Sequence, residues 1–534
     1  MSAANVSSAP LAPGRSAPLK KSVEPRFDRQ RVTAFLSMVF GMFMAILDIQ
    51  VVSASLSEIQ AGLSASADEV AWVQTSYLIA EVVMIPLSGF LSRMMSTRYL
   101  FVISAAGFTF MSFMCAQATT INEMILFRAG QGFIGGGMIP TVFASAYTIF
   151  PRNKVPLVAP LIGLVATLAP TIGPTVGGYL TDLFSWHWLF LINIVPGIIV
   201  TIAAWFLIDF DEPDWSLIDN FDYAGLLGMA AFLGALEYVL EEGPKNAWFD
   251  DETIFWAAVL SASGAFLFFW RTFTAKQPVV DLSAFTDRNF WTGSLASFVL
   301  GVGLYGLTYI YPVYLARVRG YSALMIGETM FISGLCMFLT APIVGRLVTK
   351  VDPRLMIGTG FFGLAIGTWL ASDITKDWDF YELLIPQIFR GVSLMLCMIP
   401  INNLALGTLR PERIKNASGL FNLTRNLGGA VGLAMINTVQ NDRMDLHLAR
   451  LREAVSWGHQ RAEETLANLQ SLVIGRDLSE LSATAQLASI VRREALVMAL
   501  SDVFTVLTVL FLMMLLAVPL MKRPATMGGG AGGH

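Results

Sequence analysis

LFRAGQGFIGGGMIPTVFASAYTIFPRNKVPLVAPLIGLVATLAPTIGPTVGG, residues 126–178, is the stretch that decides the fold. Two long apolar segments are joined by a short basic loop holding Arg152 and Lys154. The first carries Arg128 beside a glycine-rich face. The second breaks at Ala169-Pro170 and Gly173-Pro174 and ends in Gly177-Gly178. An arginine inside an apolar span costs about 2.5 kcal/mol or more, so it calls for a partner or a task. Proline and paired glycine let a membrane helix bend and let a neighbour approach closely.

Composition points the same way. Of 534 residues, 55% are hydrophobic and 14% charged, against about 25% charged in soluble domains. The chain therefore reads as mostly lipid-embedded. A net charge of −4 gives no reason to expect nucleic acid. Cys115, Cys336 and Cys397 all lie in apolar runs, which argues against a disulfide framework, a zinc site or a thiol nucleophile. No GxxxxGK[ST] pattern, metal-binding histidine pair or Ser-His constellation occurs, so neither an ATP engine nor a membrane enzyme is indicated, and no catalytic or metal-ligating residue is expected.

Working outward, fourteen stretches are long enough to span, from 33–55 to 498–521. With the N-terminus inside, Arg93, Arg98, Arg152, Lys154, Lys350, Arg354 and Lys415 fall in inside loops, and the first outside loops lack Lys and Arg. The linker after residue 208 fits less well, being acidic. An internal repeat divides the chain: GFLSRMMSTR (89–98) is echoed by GRLVTKVDPR (345–354), and RAGQGFIGGGMIP (128–140) by QIFRGVSLMLCMIP (387–400). Parallel repeats of six spans build a two-bundle transporter. The division expected is a disordered tail (1–32), a first six-helix bundle (33–208), a linker with two extra spans (209–289), a second six-helix bundle (290–521) with an outside helical loop (440–497), and a Gly-rich tail (522–534).

LFRAGQGFIGGG and APTIGPTVGGYL, with FLSMVFGMFMAILDIQVVSASL, SWHWLFLINIVPG, PVVDLSAFTDRNF and ASGLFNLTRNLGGAVG, resemble the major facilitator superfamily. Within it they are similar to the fourteen-span drug:proton antiporters of the EmrB-type multidrug efflux pumps. The resemblance covers nearly the whole chain. It implies an all-α integral membrane protein of the major facilitator fold, two six-helix bundles plus two extra central spans. It further implies proton-driven export of hydrophobic or amphipathic compounds by alternating access, with no cofactor beyond the proton gradient. The location implied is the bacterial inner membrane with both termini cytoplasmic, alongside a periplasmic membrane-fusion adaptor and an outer-membrane channel. One departure stands out. In the loop headed by Gly89, Arg93 occupies a place where Asp is common and Thr97 one where Arg is common; Arg93 and Arg98 are its charges.

Charges within the spans are the candidate site. Asp48 and Arg128 both lie about 10 Å below the outer surface at 1.5 Å per residue. Either Asp48 is a switchable carboxylate that couples protons, or the two form a permanent helix-holding salt bridge. Glu81, near the midplane, takes a second proton or a cationic substrate, or is a protonated acid bonded to a neighbouring helix. Arg390, Arg425, Asn422 and Glu328 are cavity candidates in the second half. Glu237 is expected at the membrane lip with Glu241 and Glu242, and Asp502 at the start of the last span. Pro170, Gly173, Pro174, Gly177 and Gly178 are read as a gate, with simple close packing as the alternative. Competing functions are a dedicated exporter of one metabolite, such as a fatty acid or siderophore, and a non-transporting sensor or scaffold.

Overall fold

The computed structural model describes residues 27–151, 154–455, 460–472 and 479–523. Most of both expected tails, and Arg152, lie outside them. Every regular element among the described residues is helical. The first half holds α1 (Arg29–Ala54), α2 (Leu56–Leu63), α3 (Ala67–Met94), α4 (Ser96–Ala116), α5 (Ile121–Gly135), α6 (Met138–Thr148), α7 (Val155–Leu183), α8 (Trp188–Leu191) and α9 (Ile194–Leu207). Then come α10 (Tyr223–Glu242) and α11 (Glu252–Thr274). The second half holds α12 (Arg288–Arg317), α13 (Ala323–Leu347), α14 (Pro353–Ala371), α15 (Phe380–Leu406), α16 (Pro411–Ala454), α17 (Gln460–Leu472) and α18 (Ser479–Ala517).

Among the described residues, twelve helices are long and apolar enough to cross a membrane. The fourteen expected from sequence are not reached on that measure, for two local reasons. The 122–149 stretch is divided between α5 and α6 at Gly136-Gly137, because consecutive glycines each weaken a helix by about 1 kcal/mol. The stretch within α16 carries Arg425 and several asparagines, which lower its hydropathy. Both still pack as bundle members: α5 lies on α3 and α4, and α16 on α12 and α18.

Packing separates the two halves and shows where they meet. In the first, α1 lies against α7 and α9; in the second, α14 lies against α15 and α18. The halves touch through α7 on α13 and through α3 and α6 on α16. The pair α10–α11 forms a hairpin that leans α10 on α3 and α16. Its close crossing depends on Gly228 and Gly264, where an added Cβ would fall 2.8 Å from the Phe268 nitrogen and 2.5 Å from the Phe232 nitrogen.

Two expectations need correction, those for Asp502 and Glu237. The outside helical segment consists of the far end of α16, which runs on for 44 residues, about 66 Å, of α17, and of α18, which begins at Ser479 where the last span was expected from 498. Asp502 is therefore mid-helix, not a helix-start carboxylate, and it pairs with His447 (2.8 Å) and Arg443 (3.6 Å) on α16. Glu237 is not a lip residue either. The four-residue rhythm Gly225, Met229, Leu233, Glu237 puts it on the buried face of α10. Glu242 is the acid that works at the lip, accepting from Lys245 at 2.9 Å and Thr75 at 3.4 Å.

A Cβ at Gly132 would lie 2.3 Å from the Tyr77 carbonyl oxygen, backbone that cannot step aside. Gly132→Val is expected to cost about 1–3 kcal/mol by overpacking, seen as a lower melting temperature in detergent. Gly163→Ala, whose new carbon would meet the mobile Ile399 side chain at 3.2 Å, is the mild control. Equal melting of both variants would rule out the α3–α5 contact.

Candidate functional site

Three first-half helices converge on one carboxylate. Asp48 on α1 receives Arg128 Nη1 at 2.6 Å, Asn193 Nδ2 at 2.7 Å and Gln131 Nε2 at 3.3 Å. Arg128 also donates to Gln131 (2.8 Å) and to the Val73 carbonyl (3.2 Å), and its guanidinium lies 4.2 Å from the Tyr77 ring centre. Asp48 and Arg128 side chains are both 0% exposed. The backbone makes room for this cage. The break between α8 and α9 sits at Ile192-Asn193, and Asn193 from that break bonds Asp48 and Ser112 (3.1 Å).

The expected pairing of Asp48 with Arg128 is thus present, but Asn193, Gln131 and Tyr77 were not singled out from sequence. The signals were there: Gln131 follows Arg128 by three residues on one face, and Asn193 is a lone amide in the run LFLINIVPG. Glu81 lies one turn beyond Tyr77 on α3, buried, packed over the α5–α6 break at Gly136. It makes no hydrogen bond among the described residues.

The glycine-proline face of α7 sits beside this cage. A Cβ at Gly173 would fall 2.4 Å from Gln50 Cβ, and one at Gly177 would fall 2.8 Å from the Val51 carbonyl oxygen. So α7 crosses α1 just past Asp48. Pro170 and Gly178 are buried on the same helix, which stays continuous through Pro160, Pro170 and Pro174. From another side of α7, Thr175 occupies the notch at Gly327 on α13. One helix thereby touches the charged cage and the other half.

The second half repeats the arginine without the acid. Arg390 donates to Thr308 (2.7 Å) and Gln387 (3.3 Å). Thr308 stands on α12, the first helix of its half, as Asp48 stands on α1. Arg425 donates to Asn422 at 2.5 Å and lies 4.9 Å from the ring centre of Phe143, which belongs to the first half. Among the described residues neither Arg390 nor Arg425 has an ion-pair partner, and Arg390 Nε and Arg425 Nη1 are buried without a hydrogen bond. Glu328 is exposed on α13, outside these networks.

At the face that carries the chain ends, the halves are tied by an acid the loop itself lacks. Asp211 accepts from the Thr97 amide (3.0 Å to each oxygen), from Thr97 Oγ1 (3.0 Å) and from Lys415 Nζ. Lys415 also donates to the Ser92 carbonyl at 3.1 Å. Arg98 faces Asp209 at 3.9 Å, while Arg93 only donates back to Gly89 (3.4 Å) and covers Phe90. Gly89 is needed for close approach: a Cβ there would be 2.9 Å from Asn416 Cα. The acidic linker that sat badly with the charge pattern thus supplies the carboxylate of this junction.

Residues 38–433 match the family model described as Major Facilitator Superfamily. The chain belongs to the major facilitator superfamily. It is 40% identical to the colistin resistance protein EmrB of Acinetobacter baumannii, over 91% of this chain and 99% of that one. It is 30% identical to the fatty acid resistance protein FarB of Neisseria gonorrhoeae (93% and 97%) and 28% identical to the multidrug export protein EmrB of Escherichia coli K12 (96% and 99%). These relatives place it in the EmrB-type branch of the superfamily, among transporters rather than enzymes. The human organic anion transporter MFSD10 shares the fold, with a TM-score of 0.57 at 11% identity, covering 91% of this chain and all of that one. A bacterial homologue of the lysosomal transporter Spinster, in an inward-facing conformation, does so at 0.52 and 14%, covering 94% and 100%. As a major facilitator with many membrane-length helices, the protein is a multi-pass membrane protein.

The Asp211–Lys415 tie is open to a double-mutant cycle on melting temperature. Asp211→Ala and Lys415→Ala should each destabilise, and together by less than their sum, with a coupling of about 1 kcal/mol. Strict additivity would mean that the tie does not form in the membrane.

Proposed function

We infer that this protein is a proton-driven secondary active exporter of hydrophobic or amphipathic toxic compounds, working by alternating access in a bacterial inner membrane. The observation that carries the reading is the caged Asp48. It is the acid at which α1, α5 and the α8–α9 break are joined, and α7 contacts both that cage and the second half. Arginine stays charged throughout, so the switchable partner is the carboxylate. A proton arriving at Asp48 from the distal side removes the charge that holds Arg128. Separating a buried pair costs about 3–5 kcal/mol unless the freed charge finds a new partner, and Glu81, one turn from Tyr77, is the nearest free carboxylate on α3. Release of the proton on the opposite side restores the cage. In this reading Glu81 serves as a second proton or cation site. Asn422, Arg425, Arg390 and Glu328 contribute to the substrate cavity, and Pro170, Gly173, Pro174, Gly177 and Gly178 transmit the cage's state from α1 to α13.

The reading keeps the division into bundles 33–208 and 290–521, the inserted pair within 209–289 and the outer excursion 440–497. Cytoplasmic termini are part of it, supported by the basic residues of one face. There the Gly89 loop, with Arg93 and Arg98, and the Asp211–Lys415 tie act as a latch that holds the cytoplasmic ends together during one half of the cycle. The reading includes a tripartite arrangement with a periplasmic adaptor and outer-membrane channel, with the excursion as the surface for that adaptor. A second reading, a dedicated exporter of an anionic metabolite such as a fatty acid, is favoured by one observation: Arg390 and Arg425 are buried cations without acid partners among the described residues.

Purified protein in proteoliposomes, with an imposed pH gradient and a fluorescent cationic amphiphile, tests the coupling. Wild type should move the dye only with the gradient. Asp48→Asn should abolish that dependence, with a rate loss of about a hundredfold or more if the lost step is worth 3 kcal/mol. Undiminished gradient-driven export by Asp48→Asn would sink the mechanism. A parallel assay with a fluorescent fatty acid decides the substrate class. Arg425→Gln should slow the anion more than the cation if the second reading holds, and both equally or neither if it does not.

A further inference from the structure

Beyond the membrane spans, α16, α17 and α18 enclose a cavity of about 920 Å³ against the end of α12, within the size range of small-molecule sites. Two of its walls are tied to each other. Asp502 on α18 holds both Arg443 and His447 of α16, and Glu494 on α18 holds Lys376 at 3.1 Å in the loop before α15.

What remains lining the cavity is one-sided in charge. Among the described residues, Arg317, Arg452, Arg492 and Arg493 reach it from three helices, against a single lining carboxylate, Glu463. None of the four arginines forms an ion pair among the described residues, whereas Glu463 is already engaged. Between them the surface is apolar: Leu448 and Met444 one turn apart on α16, Leu487 and Val491 one turn apart on α18, and Leu466 on α17. Guanidinium groups grip planar or tetrahedral oxyanions through paired N–H donors. Four of them around an apolar floor match a molecule with an anionic head and a hydrocarbon tail, and match poorly the cationic or neutral compounds that a membrane carboxylate would favour.

We propose that this cavity is a binding site for a single-tailed anionic amphiphile, a carboxylate or phosphate head held by Arg317, Arg452, Arg492 and Arg493 with its tail along Leu448, Leu487 and Val491. The site is outside the charged cage of α1, α5 and α9, and stands whether or not transport is driven by protons. Two sources share the chemistry: a free fatty acid and a lysophospholipid of the surrounding leaflet.

The test is photo-cross-linking of the full chain in nanodiscs with a diazirine-bearing palmitate, followed by peptide mapping. Adducts are expected within 440–496, at about tenfold over the methyl ester of the same probe, since one charge-assisted hydrogen bond is worth that factor. Arg452→Gln with Arg492→Gln should lower labelling about tenfold or more. Leu487→Trp, which fills the floor and leaves every arginine in place, should also lower it, and unchanged melting temperatures show that the variants are folded. Displacement by palmitate assigns the ligand to free fatty acid; displacement by lysophosphatidylglycerol assigns it to the leaflet. Adducts confined to the membrane spans, equal labelling by the ester, or no displacement by either competitor would overturn the proposal, and the first of these would leave the excursion to a protein partner. None of these outcomes depends on the Asp48→Asn result.

Discussion

A carboxylate and a guanidinium taken completely out of water impose the organising constraint on this structure. Either charge alone in that position costs several kcal/mol, and their mutual attraction offsets this only when the remaining lone pairs and protons are also satisfied. Gln131 and Asn193 supply that satisfaction for Asp48; Val73, Gln131 and the face of Tyr77 surround Arg128, whose Nη2 is buried without a hydrogen bond among the described residues. Each helper comes with a backbone consequence. Gly132 brings α5 against α3 so that Arg128 meets Val73 and Tyr77, and the α8–α9 break presents Asn193. The first half is therefore assembled around this buried ion pair.

Pseudo-symmetry makes the second half a natural comparison. Arg390 keeps the place of Arg128, three residues from a glutamine, but Thr308 replaces the acid. A threonine hydroxyl cannot change charge in the physiological range, so whatever alternates at Asp48 has no counterpart at Thr308. The two halves share a scaffold and divide the chemistry: one carries a titratable group, the other fixed cations. Arg425 straddles the division, because its guanidinium rests on Phe143 of the first half. A cation–π contact of this sort is worth about 2 kcal/mol when desolvated, and here it joins the two halves.

Much of this was legible in the sequence. Long apolar runs gave the all-helical membrane class, the repeat gave two halves, and a lone arginine in 126–178 pointed to Asp48 at equal depth. The rest was hidden for physical reasons. Asn193 and Asp48 are far apart in the chain, and no periodicity links two helices across a bundle. Glu237 looked exposed because it neighbours two acids at a helix end, yet three of its four-spaced predecessors are buried. Asp502 looked like a helix start because hydropathy begins near it; the helix itself begins in polar sequence, where apolar content carries no signal. The α5–α6 break and the polar α16 show the converse, segments that belong to a bundle yet fall short of the length or hydropathy of a span.

Asp211 illustrates how position in the chain and position in space come apart. The loop headed by Gly89 carries Arg93 in place of an acid, and read alone it has lost its means of fastening the two halves. A carboxylate more than a hundred residues later fills the gap because its task is set by geometry: Lys415 stands in the second turn of α16, which lies against Gly89 where the halves touch. Any acid that reaches the Thr97 amide and the Lys415 ammonium together performs the same fastening. Lending it from the linker makes the tie depend on where the linker leads, to α10 and α11. The inserted hairpin is thereby connected to the junction of the two halves, through Asp211 at one face and through the packing of α10 on α3 and α16.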